Sequence, residues 1–468
     1  MGVLGDRRPR PYGASHGPEL VAVTARTAAL YRLQPAEIWR FLKTQSASYW
    51  LICAYLFFEY VRPQSIYEGV AFLPWAFLTI VLCALAFLLE GKRPRFGGLG
   101  DALLALYVMV VIVSSALAYS PDAAFDRLPL FLSWVTIYLL ITNIVTTEKR
   151  FFVFAISFLL YNFKMSLHAT RSWASIGFGF RDWGTTGAPG WFHNSGEFGI
   201  EMTIFLPISV CLIVGLRPYW SKAKLLFSTL LPATALLGLV ASSSRGALLG
   251  GFAVLLWSVW VSRRKVAALV ATTVIAISLL AIVPEQQKER LSAAGTDWTS
   301  TYRFTLWKDG LEIANQHPVL GIGYGNWTTY YRKYYNPAGS LPHNIFVEAV
   351  SELGYAGLLI FVSLIVTTFV VNRRTRRLAR VLPGEGRFLS AMARGLDGAL
   401  VGFLVSGSFV TVLYYPYFWI NLAMTIALNR AVCGEWSAAF GHAPRGESAW
   451  PRAGGRGGSA PVARGGPA

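Results

Sequence analysis

Two arginines and a histidine stand where a membrane chain has least use for charge. Arg245 lies in Ser242-Ser243-Ser244-Arg245-Gly246, Arg303 opens a polar helical pattern, and His343 sits in Leu341-Pro342-His343-Asn344. A guanidinium matches phosphate geometry with paired hydrogen bonds, each contributing about 1.5–3 kcal/mol. An imidazole exchanges protons near neutral pH. Together these residue types point to an anionic, phosphate-bearing ligand and a proton transfer. The three hydroxyls before Arg245 add donors suited to an oxygen-rich ligand. Asn344 is placed to cap the following helix, and Glu348 and Glu352 continue one of its faces, one and two turns further in. A carboxylate beneath the ring would fix its tautomer and raise its basicity. The plain alternatives are an interfacial histidine with a satisfied ring and snorkelling arginines that anchor helix ends.

The elements that must position these groups are membrane helices. The chain has 468 residues, 54% hydrophobic and 14% charged, where a soluble chain carries about 25% charged residues. A span needs about twenty mostly apolar residues, and that measure gives about twelve of them. They fall at 47–62, 70–90, 101–119, 127–146, 150–168, 197–216, 224–242, 246–262, 265–283, 344–371, 393–413 and 415–432. The expected fold is an all-α integral membrane protein with one long polar loop, 284–343. Within the loop, Phe304, Trp307, Leu311 and Ala314 recur at helical spacing, which predicts an amphipathic helix on the membrane surface, capped by Ser300 or Thr301. The glycine-rich run from His317 to Trp327 lacks the strand-then-helix context of a nucleotide loop and reads as a plain turn.

The formal charge is +18, which raises nucleic acid as a partner. The cations, however, collect in short connections between apolar runs. Lys92, Arg93 and Arg95, then Lys149 and Arg150, Arg217, Lys222 and Lys224, Arg263, Arg264 and Lys265, and Arg373 to Arg380 all follow even-numbered spans. That is the positive-inside pattern: those connections and both termini are cytoplasmic, and no nucleic acid is implied. Arg171, Arg181, Arg245 and Arg303 then fall on the outer side, which usually avoids cations. Arg181 and Asn194 lie in a second candidate stretch, Arg171 to Glu197, where tryptophans, arginines and glycines suit sugar contact; an interfacial aromatic belt is the plain alternative. Glu197 and Glu201 share a helical face that would line a wet cavity.

Cys53, Cys83, Cys211 and Cys433 match no metal spacing, so neither a disulfide nor a zinc site is expected. No clustered His, Asp or Glu set implies a metal. Residues 1–46 form a basic cytoplasmic segment without a cleavable signal, 47–432 the membrane domain, and 433–468 a Gly/Arg/Pro-rich tail that is expected to be disordered.

With these residues in view, the chain resembles the O-antigen ligase and polymerase superfamily of bacterial membrane glycosyltransferases, most clearly over residues 190–370. The resemblance is carried by Ser243-Ser244-Arg245-Gly246, by Arg303 with Trp307, by His317-Pro318 leading to Gly321-Ile322-Gly323, and by His343-Asn344 with Glu352-Leu353-Gly354 and Gly357. Phe58 to Tyr67 looks like the exosortase A-associated O-glycosylation ligase branch, although that branch tends to paired asparagines where this chain has His193-Asn194-Ser195. The resemblance implies an inner-membrane enzyme with no cofactor and no metal. It would move a glycan from undecaprenyl diphosphate, on the periplasmic face, to a hydroxyl of lipid A-core, protein or another glycan. On that footing Arg245 and Arg303 bind the diphosphate, His343 takes the acceptor proton, and the anomeric centre inverts. Arg181, Asn194, Asn344 and Glu348 would contact substrate, and membrane lipids would surround the whole. A polymerase of the same superfamily is the alternative. A transporter of an anionic glycolipid is another, but repeated halves are absent and the candidate cations collect at the outer boundary, away from mid-membrane.

Overall fold

A computed structural model describes residues 27–180, 184–188, 192, 194–283, 285–293, 295–382 and 386–441. Every regular element among them is helical. In chain order these are α1 (Pro35–Lys43), α2 (Ala47–Leu56), α3 (Trp75–Leu89), α4 (Leu99–Ala116), α5 (Pro121–Ile144), α6 (Glu148–Ser175) and α7 (Ser195–Leu216). Then follow α8 (Lys222–Ser228), α9 (Leu230–Ala241), α10 (Arg245–Val261), α11 (Lys265–Ile282) and α12 (Glu285–Ser292). Last come α13 (Trp298–Gln316), α14 (Trp327–Tyr334), α15 (Ile345–Ala379), α16 (Gly386–Gly407) and α17 (Pro416–Phe440).

Each of the expected spans has a helical counterpart. Among the described residues eight stretches are long and apolar enough to cross a bilayer, α8 and α9 counting as one. Shorter or more polar helices, α2, α10, α11 and α17, supply the rest. The protein is a multi-pass membrane protein. The final helix runs to Phe440, past the expected limit at 432, and residues beyond 441 lie outside the described part.

The core is α7 against α16, each with 78% of its apolar window buried. Lipid tails are as apolar as leucine, so membrane helices associate by close packing, which small residues permit. Gly402 of α16 shows this: a Cβ there would lie 2.9 Å from the carbonyl oxygen of Thr203 on α7. At the periphery, α3 has only 22% of its window buried.

Two features position the long loop. First, α15 breaks at Gly354, whose φ is +66° and ψ −173°. The carbonyls of Ser351 and Glu352 accept instead from the N–H groups of Ile322 (2.9 Å) and Gly323 (3.0 Å), and Tyr355 donates to the carbonyl of Pro318 at 2.8 Å. A broken helix at membrane depth needs protein partners for its freed backbone groups, and the glycine run provides them. It is therefore more than the plain turn expected. The carboxylate of Glu352 fastens it further, accepting from the N–H groups of Gly325 and Trp327, each at 2.9 Å.

Second, α13 has a different phase from the one read off the sequence. Leu306, Gly310, Ile313 and Ala314 are buried, whereas Phe304 and Leu311 are exposed. Gly310 decides this, because a Cβ there would lie 2.3 Å from Val347 of α15 and 3.1 Å from the ring of Trp327. The glycine, which carries no hydrophobicity signal, selects the face that docks. The helix also starts earlier than expected: Asp297 is the N-cap residue, in place of Ser300 or Thr301.

Candidate functional site

Several helix beginnings meet at one end of the bundle. A Cβ on Gly196, in the first turn of α7, would lie 3.6 Å from the hydroxyl of Ser244, which caps α10. Gly246 of α10 abuts Phe409 in the α16–α17 connection. The ring of Trp307 on α13 approaches that of Phe409, centroids 6.0 Å apart, while its indole N–H donates to the carbonyl of Pro342 at 3.1 Å. The backbone N–H of His343 donates to the Thr411 hydroxyl at 2.9 Å. Each helix start carries partial positive charge from unpaired N–H groups, so together they favour an anion.

Local sequence explains the frame. Asn344 accepts from the N–H groups of Phe346 (2.8 Å) and Val347 (3.2 Å), which is the cap expected of it. Asn194 caps α7, accepting from the N–H of Glu197 at 3.0 Å, and donates to the Glu197 carboxylate at 2.7 Å. The hydroxyls before Arg245 do not form the expected donor cluster. Ser242 is buried and bonds back to the carbonyl of Leu239 at 2.7 Å, Ser244 is the cap, and Ser243 takes a left-handed φ of +52° to turn the chain.

Arg245 makes a paired contact with Asp297, Nη1 to Oδ1 at 2.9 Å and Nη2 to Oδ2 at 2.7 Å. Asp297 is held well below the usual carboxylate range by the Arg245 hydrogen bond first and by that of Ser300 next. Arg303 stands nearby. Burial makes its charge less favourable, the Arg245 charge adds to this, and Asp297 partly offsets both. Its Nε is buried without a hydrogen-bond partner. His343 has a left-handed φ of +50°, an uncommon conformation for a residue with a side chain. Its ring is pushed down to about 4, by burial first and by the Arg303 charge second. Arg303 thus sits within electrostatic reach of both Arg245 and His343.

Other sequence-based assignments are revised. Glu348 does not support the imidazole; its carboxylate is buried and accepts from the N–H of Leu413 at 3.3 Å. With Glu352 fastening the glycine run, neither carboxylate raises the histidine's basicity, and burial lowers it. Glu197 is tied to Asn194 and to the hydroxyl of Tyr415 (3.0 Å). Glu201 lines a separate internal cavity with only about 10 Å³ of free room, space for about one water. Glu197 is not among the residues that line it. Arg181 lies outside the described residues, as do His193 and Trp191. Among the described residues no group of three His, Cys, Asp or Glu side chains is arranged to hold a metal, and no disulfide joins the cysteines.

Sequence reasoning missed Asp297 and Thr411. The local signal in Asp297-x-x-Ser300 marks a helix start, but its contact with Arg245 joins positions 52 apart in the chain. Nothing near Thr411 marks it.

Comparison with known proteins falls on the same region. Residues 230–362, which include Arg245, Arg303 and His343, match the family model Wzy_C, described as O-Antigen ligase. The O-antigen ligase of Pseudomonas aeruginosa (strain PAO1) is 30% identical over 186 residues, covering 38% of this chain and 43% of that protein. The exopolysaccharide production protein ExoQ of Rhizobium meliloti (strain 1021) is 37% identical over 89 residues, 17% of this chain and 20% of that protein. The chain spans less than half the length of these relatives.

Proposed function

We propose that the chain, whose residues 230–362 match the O-antigen ligase family model, is a glycosyltransferase acting at the end of the bundle that holds Arg245, Arg303 and His343. The donor is a glycan on undecaprenyl diphosphate, and the acceptor is a hydroxyl of lipid A-core or protein. The enzyme sits in the bacterial inner membrane with this end periplasmic and both termini cytoplasmic, as the distribution of cations supports.

The observation that carries the reading is the His343 ring, held down to about 4 beside an arginine with a free, buried Nε. At neutral pH the ring is unprotonated and can accept a proton. The acceptor oxygen forms a bond to the anomeric carbon while His343 takes its proton. The bond from that carbon to the diphosphate oxygen breaks, and the electron pair leaves with the lipid diphosphate. Attack opposite the leaving group inverts the centre. Arg303 and Arg245 stabilise the charge that grows on the diphosphate. A guanidinium has five N–H donors, and Asp297 takes one from each Nη of Arg245. That paired contact makes Asp297 a positioning residue for Arg245. The helix beginnings add to the same field, and no metal is assigned a step.

The test is transfer from a synthetic undecaprenyl-diphosphate glycan by purified protein, read as release of the lipid diphosphate and as a new glycosylated product. Activity that vanishes in chelator contradicts the metal-free step. Normal turnover by folded His343→Ala, Arg303→Ala and Arg245→Ala proteins contradicts the site. Polymerisation is the second reading, favoured by the similarity to a protein named for exopolysaccharide production; its signature is a lengthened, still lipid-linked glycan.

A further inference from the structure

We propose that the opposite end of the bundle carries a binding site for an anionic phospholipid, with its phosphate headgroup among Lys92, Arg93, Arg95, Arg150 and Arg430. These side chains, with Phe87, line a cavity of about 800 Å³. It lies where α3, α5 and α17 end and α6 begins, which is headgroup level for a bilayer around this bundle.

The charge balance favours an anion. Two carboxylates stand close by: Glu90 pairs with Lys92, and Asp101 pairs with Arg430 at 2.8 Å. Five cations against these two leave three positive charges, Glu435 outside the lining interacts with Lys149, and among the described residues no carboxylate lines the cavity. The frame is built. Arg430 donates to the carbonyls of Thr142 (2.7 Å) and Arg95 (3.0 Å), and the N–H of Arg95 donates to the Asn143 side chain at 2.7 Å. Those contacts fix the backbone of the α3–α4 connection and leave the side chains of Arg93 and Arg95 exposed at the rim. A topology signal needs only cations in the connection. It does not need them to wall one cavity, and it does not account for Arg430, which lies inside α17.

A phospholipid fits better than a soluble anion because α3, which ends at the cavity, carries an exposed apolar stripe. Phe77, Val81, Leu85 and Leu88 recur along one side of α3, away from the buried Phe87, and are 60%, 39%, 50% and 59% exposed. An acyl chain lying along this stripe brings its headgroup to the cavity. Basic pockets between membrane helices suit such headgroups. This inference does not depend on the glycosyltransferase reading, and its test does not measure catalysis.

The full chain in neutral detergent is titrated with fluorescent phosphatidylglycerol and, separately, with phosphatidylcholine. The expected result is a preference for phosphatidylglycerol on the order of tenfold, unaffected by millimolar inorganic phosphate and lost in the Arg93→Ala/Arg95→Ala protein. Ser437→Glu places an anion on the cavity wall while keeping every cation, so it is expected to lose the preference even if the double variant fails to insert. Equal binding of the two lipids overturns the proposal, as does a preference that survives Ser437→Glu. Displacement by inorganic phosphate assigns the site to a soluble anion and overturns it too.

Discussion

Cations stand at both ends of helix α15, its own at the last turns and those of α10 and α13 beside the first, under opposite electrostatic conditions. Its last turns hold Arg373, Arg376, Arg377 and Arg380 around a cavity of about 350 Å³. A helix C-terminus carries partial negative charge and stabilises such residues, and Arg376 is also paired with Asp397. At the first turn, beside His343, the arriving helix ends are partially positive, so Arg245 and Arg303 are placed against the field. Arg245 is held there by Asp297. Arg303 keeps a buried nitrogen without a partner. At the C-terminal end the helix dipole favours the cations and Asp397 pairs one of them; at the N-terminal end the field opposes them, and that difference in field is what separates a candidate anion site from a topology signal.

The sharpest break of this contrast comes from substitution at each end. His343→Ala is expected to lower single-turnover transfer by on the order of 10²–10⁴, and Arg303→Ala by about 10²–10³. Arg377→Ala, at the other end, is expected to leave turnover within about twofold, since it touches none of the reacting groups. A large loss from Arg377→Ala with normal folding would erase the distinction between the ends.

Asp297→Ala comes next, with turnover expected to fall on the order of tenfold because Arg245 loses its orientation. Asp297→Asn keeps one acceptor and is expected to fall less. The same assay decides it, and a variant faster than the parent would mean that Asp297 competes with the diphosphate. Gly354→Ala probes how the reactive end is held. Its Cβ would lie 2.3 Å from the carbonyl oxygen of Val319 at a φ of +66°, so thermal unfolding in detergent is expected to reveal a loss of about 1–3 kcal/mol.

The smallest effect is a displacement on the pH axis. With the His343 ring at about 4, kcat/KM is expected to stay level from pH 8 down through pH 6 and to fall only as pH nears 4, where the ring protonates. Arg303→Gln removes the smaller cause of the depression and leaves burial in place. The residual activity is therefore expected to fall at a somewhat higher pH, still below 6.5. For stability the sign is the same: the unfolded chain takes this proton first, so protonation opposes folding as pH drops from 6.5 towards 4.

Much of this was legible locally. Apolar runs long enough to span a bilayer set the helices, and Asn344 before an apolar run marked a cap. Arg245, Arg303 and His343 drew attention because they break the positive-inside pattern. What stayed hidden depends on residues distant in the chain. Gly310 sets the phase of α13 only because Val347 and Trp327 come to meet it. Glu352 looked like a partner for the imidazole, yet it holds the glycine run, because the break at Gly354 brings that run against α15. Burial overrode the expected rise in histidine basicity, and burial of a loop residue is a tertiary quantity.

The central claim is that His343 accepts the proton of the attacking hydroxyl in transfer from a lipid diphosphate. Its most direct test is single-turnover transfer from an undecaprenyl-diphosphate glycan, measured against pH with purified parent and His343→Gln proteins. The account predicts a level parental profile through neutral pH with an acid limb near 4, and a variant at least a hundredfold slower that lacks this limb. The same limb and rate in both proteins would contradict it.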